Sequence, residues 1–193
     1  AYQKAVDLDP NYAEAQYGLG WSLYHLDQIN DAIQPLLIAI NLKPDLGAAH
    51  FSLGQTYTAS GDFESAIEQF RETVRLIPIY PEAFIELGNV YLKAQKYDLA
   101  IEAYHEAIDL NPGFFEAFTS TGVAHIAAQR YKQAILPLES ALRINPDDGL
   151  AYLNLGAVYS KLKQHKKAVD AFLELIRIHS DDPKAYYLLA VEY

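Results

Sequence analysis

Apolar and polar residues follow one another along this chain with a helical beat. In PEAFIELGNVYLKAQ (81–95) apolar side chains return every three or four residues, as they do on one face of a helix. KYD (96–98) reads as a turn, and LAIEAYHEAIDLNP (99–112) restores the beat. Pro112 stops this second helix, because its ring clashes with the preceding turn and it has no N–H. The same pair of helices recurs. Its closing refrain reads AVDLDP, AINLKP, TVRLIP, AIDLNP and ALRINP, with Pro10, Pro44, Pro78, Pro112 and Pro146 each 34 residues apart. A sixth copy, LIRIHS, keeps the apolar beat but ends in Ser180.

Small residues keep the same period. Gly20, Gly54, Gly88, Gly122 and Gly156 form one series, with Ala190 in the next slot. Ala32, Ala66, Ala100, Ala134 and Ala168 form a second, and Ala15, Ala49, Ala83, Ala117, Ala151 and Ala185 a third. A mid-helix glycine costs roughly 1 kcal/mol against alanine. Its return in five units implies a steric need: a side chain there would hold two paired helices apart.

A 34-residue unit with an aromatic, Leu-Gly, Tyr, Ala, an aromatic, Ala and Pro in that order resembles the tetratricopeptide repeat family. In the third unit these are Phe84, Leu87, Gly88, Tyr91, Ala100, Tyr104, Ala107 and Pro112. The resemblance covers the chain as a single array of full units at 13–46, 47–80, 81–114, 115–148 and 149–182. Residues 1–12 match the tail of an earlier unit and 183–193 the first helix of a later one. It implies an all-α fold, a right-handed superhelical solenoid of antiparallel helix pairs, with first helices lining the concave face. Departures are few. Gln16 and His50 stand where the first aromatic belongs, Thr121 replaces Leu, His125 replaces Tyr, Thr73 and Leu175 each replace an Ala, and Leu23 stands where other units have Tyr. Local loosening is expected around Thr121 and His125.

Composition narrows the function. Hydrophobic residues make up 51% and charged residues 21% of the chain, as in a soluble folded protein. There is no apolar run long enough for a transmembrane helix and no basic-then-apolar start. Ala1 opens inside a helical pattern and methionine is absent, as in a piece of something longer. The absence of cysteine removes disulfides, thiolate zinc sites and thiol nucleophiles. The compartment stays open, with the cytoplasm the nearer expectation. The net charge of −10, without clustered Lys or Arg, argues against nucleic acid and anionic membranes as partners.

Catalytic and cofactor chemistry finds no support. No H-E-x-x-H, G-x-S-x-G or P-loop pattern occurs. Glu102, His105 and Glu106 form a Glu-x-x-His on one helix, but no second copy exists to complete a di-metal site, so a solvated surface is expected. His50 and His125 fall in aromatic packing places, where hydrogen-bonded core histidines are expected. Asp147-Asp148 and Asp181-Asp182 read as turns that place negative charge at the next helix N-terminus. No enzyme activity, metal or cofactor is expected in these residues.

The family resemblance assigns ligand contacts mostly to first-helix positions. The candidates are Glu14, Tyr17, Trp21, Tyr24 and His25 in the first unit, with Phe51 and Gln55 in the second. The third contributes Glu82, Ile85, Asn89, Leu92 and Lys93, the fourth Glu116, Val123 and Ile126, and the fifth Leu153. The same register includes Ala48 and Thr119. Chaperone-binding members hold a C-terminal carboxylate with Lys, Asn, Asn, Lys and Arg. Here the first register offers Tyr17, Trp21, Ser52, Glu82 and Glu86, whose acids repel a carboxylate. No later register restores the set, and the asparagine ladder of sugar-transferase arms is missing too. The expected partner is a protein or peptide with apolar anchors and some basic residues, bound to a non-catalytic scaffold. Two alternatives are self-assembly through uncapped ends and service as the targeting arm of an enzyme whose catalytic domain lies elsewhere.

Overall fold

The computed structural model describes residues 1–192, so Tyr193, the last residue of the expected terminal partial unit, lies outside the described residues. Twelve α-helices account for the described structure. They are α1 (Tyr2–Leu8), α2 (Ala13–His25), α3 (Ile29–Leu42), α4 (Gly47–Ser60), α5 (Phe63–Leu76) and α6 (Pro81–Lys93), then α7 (Tyr97–Leu110), α8 (Phe115–Ala127), α9 (Tyr131–Ile144), α10 (Gly149–Lys161), α11 (His165–Ile178) and α12 (Pro183–Glu192). They gather into two compact units, each longer than one repeat: residues 1–96 and, among the described residues, 97–192. In the first unit α2 packs on α3 and α4 on α5; in the second, α8 packs on α9 and α10 on α11.

The boundaries follow from local chemistry. The refrain helices end at Leu8, Leu42, Leu76 and Ile144, two residues before a proline. The residue between is extended, as at Asp9 (φ −142°) and Asn145 (φ −125°), because a following proline disfavours helical backbone. α11 also ends two residues early, at Ile178 before Ser180, so proline is not the sole stop. The turn inside the third repeat falls two residues earlier than expected. Ala94, Gln95 and Lys96 make it, and Tyr97 and Asp98 are already helical. The left-handed residue explains the shift. Asp27, Gly61, Gln95, Gln129 and Lys163 all have positive φ (59°, 85°, 59°, 60° and 58°) at one place in the 34-residue register. This residue closes the first helix and reverses the chain; only one copy uses glycine.

The small residues act as the spacing implies. A Cβ on Gly20 would lie 2.5 Å from Leu36 Cγ, one on Gly54 2.9 Å from the Phe70 ring, and one on Gly122 2.5 Å from Leu138 Cγ. In each case the large side chain comes from the partner helix and is fully buried. The alanines at 32, 66, 100, 134 and 168 are fully buried as well, and α2 with α3, α4 with α5 and α8 with α9 meet at close range.

The substituted signature positions are satisfied in different ways. Gln16 is buried and its Nε2 donates to the Pro10 carbonyl (2.9 Å). His50 Nε2 donates to the Pro44 carbonyl (3.1 Å), and its Nδ1 lies 2.8 Å from the Gln69 side-chain amide, so His50 is a hydrogen-bonded core histidine. The Thr73 and Thr121 hydroxyls donate to carbonyls four residues back, Gln69 (2.9 Å) and Ala117 (2.8 Å). His125 corrects the sequence expectation: its Nδ1 is buried with no hydrogen-bond partner. Burial, then the charges of Arg130 and His105, push its pKa down against the opposing Asp98. Asp148 caps α10, accepting from Leu150 N (3.0 Å) and Ala151 N (3.2 Å) as the N-terminal reading anticipates.

Two outcomes test this packing. Gly122→Ala is expected to destabilise the protein by about 1–3 kcal/mol through overpacking against Leu138, read by denaturant unfolding. His125 makes stability depend on pH. The unfolded chain takes up its proton near pH ~6.5, whereas the folded chain does so only at lower pH. Stability is therefore fully present above the unfolded value and declines as pH falls toward the folded one. His125→Leu, which copies Leu23 in the same register, is expected to flatten the acid side of a melting-temperature profile.

Candidate functional site

An apolar recess lies in the first unit and begins with α2. Its residues Tyr17, Trp21 and Tyr24 fall on one stripe. Tyr17 and Tyr24 rest partly on the core formed by Ala32, Leu36 and Leu53. Trp21 is 43% exposed, with its ring edge-on to His25 at 4.3 Å between centroids. Opposite, α4 supplies Ala48, Phe51, Ser52 and Gln55. The connection from α5 to α6 closes the recess with Ile77, Ile79 and Tyr80. These surfaces and the Tyr17–Trp21 face enclose a pocket of about 540 Å³. That is within the roughly 300–1,000 Å³ of ligand pockets, and its walls are mostly apolar and aromatic.

Aromatic contacts set the pocket floor. The Phe51 ring lies 5.2 Å from Tyr80 and meets buried Phe70 edge-on at 5.6 Å. Such pairs favour tilted or edge-to-face arrangements, which set the angle at which the Phe51 ring is held. The surrounding charge is negative. Burial, then Glu82, Tyr17 and Glu86, raises the pKa of the Tyr80 hydroxyl, and burial followed by Glu86 raises that of Tyr24. Glu14 is engaged elsewhere: Lys43 Nζ donates to its Oε1 at 3.1 Å, and that bond holds its carboxyl below the usual range.

Of the sequence candidates, Tyr17, Trp21, Phe51 and Gln55 therefore come together in one pocket. Tyr24 and His25 adjoin it through the Trp21–His25–Tyr24 ring contacts. Along α6, Glu82 and Lys93 are exposed, while Ile85, Asn89 and Leu92 are half-buried. In the second unit Glu116 is exposed and borders a separate small pocket of about 110 Å³ with Thr119 and Asp148. Thr119 itself is buried, its hydroxyl donating to Asp148 Oδ2 at 2.6 Å, so it offers a ligand no free donor. Val123 is half-buried, and Ile126 and Leu153 pack partly against the second unit's core. The first-helix register missed Ile77, Ile79 and Tyr80, which lie in a connection. Glu102, His105 and Glu106 are all exposed, and among the described residues no three His, Asp or Glu side chains gather as a metal site. No described helix is long and apolar enough to cross a membrane.

Paired helices recurring every 34 residues define a helical-repeat protein. Family models described as "Tetratricopeptide repeat" match residues 1–34, 85–149 and 125–191, and one described as "TPR repeat" matches 54–95. The chain belongs to the tetratricopeptide repeat family. Among solved structures it is similar to a MamA protein at 30% identity, covering 75% of this chain and 79% of that one with a TM-score of 0.72. It shares its fold with YrrB, described as a TPR protein with an unusual peptide-binding site, at 21% identity, covering 97% and 96% with a TM-score of 0.79. MamA from Desulfovibrio magneticus RS-1 aligns at 18% identity over 89% and 97% with a TM-score of 0.81. No curated protein sequence matches the chain.

Proposed function

We propose that this protein is a non-catalytic protein–protein interaction scaffold that holds a partner segment in the first unit's aromatic pocket. The carrying observation is Trp21, the chain's only tryptophan, left 43% exposed beside Tyr17, Phe51 and Gln55 around one cavity. An exposed aromatic next to an apolar recess is the usual composition of a binding hot spot. Glu82 and Glu86 lie close enough to act on Tyr80, which favours a segment with Lys or Arg beside its apolar anchor. The candidates Glu14, Tyr24, His25, Ile85, Asn89, Leu92 and Lys93 are the proposed flanking contacts. Glu116, Val123, Ile126 and Leu153 are proposed as the second unit's contribution. The repeats at 13–46 through 149–182 are proposed to form a single array.

Peptides selected from a random display library on the immobilised protein test this reading. The selected sequences are expected to share a large apolar residue near a basic one, and their titration to shift the emission of Trp21. Tyr17→Ala combined with Trp21→Ala is expected to weaken calorimetric binding by at least about 2 kcal/mol while circular dichroism stays unchanged. Unaltered affinity in the folded double variant would refute the site.

A further inference from the structure

The connection from α5 to α6 departs from the others in this chain. Ile77 stands where the same register has Asp9, Lys43, Asn111, Asn145 and His179, all polar. Ile79 stands where it has Asn11, Asp45, Gly113, Asp147 and Asp181, all polar or glycine. Three of these polar residues have local work, whereas Lys43, like Ile77, has no side-chain acceptor. Asp9 Oδ1 accepts from Asn11 N (3.0 Å), Asn111 Oδ1 from Gly113 N (3.1 Å) and Asn145 Oδ1 from Asp147 N (3.2 Å). Each bond tightens the turn between two units. Ile77 has no side-chain acceptor and cannot form it. In its place the connection gains an isoleucine, Ile79, that is 80% exposed.

A turn that gives up its own hydrogen bond and leaves a β-branched aliphatic side chain in water is unfavourable for folding. Ile77 and Ile79 border the same pocket as Trp21 and Phe51, so the apolar surface adds to that recess. Tyr80, next in the chain, sits within the field of Glu82 and Glu86. The connection is thus apolar toward the cavity, and Glu82, exposed in the first turn of α6, follows Tyr80 by two residues.

We infer that Ile77–Tyr80 is a specificity lip, which selects a partner segment placing a large aliphatic or aromatic side chain against Ile79 and a Lys or Arg toward Glu82. This rests on the pocket being the binding site. The lip, more than the first-helix stripe, sets which anchor is accepted, because Ile79 is the exposed wall a bound side chain would cover.

The test uses peptides selected on the wild-type protein. Ile77→Asn with Ile79→Asn gives the connection residues that this chain already carries at Asn111, Asn145 and Asn11, and adds no charge. The lip variant is expected to bind the apolar-anchored peptides at least about tenfold more weakly, from the lost burial of one isoleucine. Ile77 is seated on Gly47 of α4, so the stability control is Ile79→Asn alone, whose melting temperature is expected to stay level because Ile79 is already in water. A separate Glu82→Gln variant is expected to weaken the basic peptides and reduce their salt sensitivity. Wild-type affinity in the lip variant, with binding lost in Tyr17→Ala/Trp21→Ala, would overturn the lip and leave the pocket standing. Wild-type affinity in both would overturn the pocket as well. Concentration-dependent sedimentation of the protein alone, abolished by the lip variant, would make a second copy the occupant and overturn the partner assigned.

Discussion

The close seating of each helix on its partner is the constraint on which the rest of this protein depends. At Gly20, Gly54 and Gly122 the absent Cβ leaves room for Leu36, Phe70 and Leu138, which fill that room completely. Each large residue lies 16 positions after its glycine, so glycine and filler come from opposite helices of one pair. With backbones this close, the connecting turn has little freedom. It reverses through one left-handed residue at 27, 61, 95, 129 and 163, even where that residue is Asp, Gln or Lys. Backbone strain in the turn is accepted because the packing it permits is larger.

Repetition also explains which substitutions are tolerated. Gln16 and His50 differ in chemistry from an aromatic ring, yet both reach the carbonyl of the proline six residues earlier. The position takes a planar group that fills space; Phe84 and Phe118 do so with no polar atom, while Gln16 and His50 also meet that carbonyl. Exposed ion pairs repeat in the same way. Lys96 with Glu64 and Arg130 with Asp98 join corresponding turns, and both are open to water, so each contributes little stability. The units are held by buried small-to-large contacts, and the surface charges ride on them.

Where the chain breaks its own rule, exposed apolar and aromatic side chains gather. Phe51 and Tyr80 form a ring pair at 5.2 Å; the corresponding positions in the second unit are Thr119 and Asp148, joined by a hydrogen bond. The same backbone places build an apolar recess in one case and a closed polar contact in the other. A first-helix register therefore predicts which backbone place a residue takes, but not whether its side chain remains available. Thr119 and Phe51 share a register and have opposite fates.

The sequence by itself determined the helix pairs, the period and the reason for the glycines, because these depend on local periodicity and on spacing within one unit. It also determined the aromatic stripe Tyr17–Trp21–Tyr24, since positions three and four apart share a helix face whatever surrounds them. Only the tertiary structure decided that Tyr17, Trp21, Phe51 and Gln55 join Ile77, Ile79 and Tyr80 around one cavity. Those residues come from two first helices and a distant connection, and their meeting depends on how neighbouring units stack. The structure likewise separated His50, which finds two partners, from His125, whose Nδ1 finds none. Both histidines occupy aromatic packing places in the sequence; burial and the groups within reach distinguish them, and those belong to the folded chain.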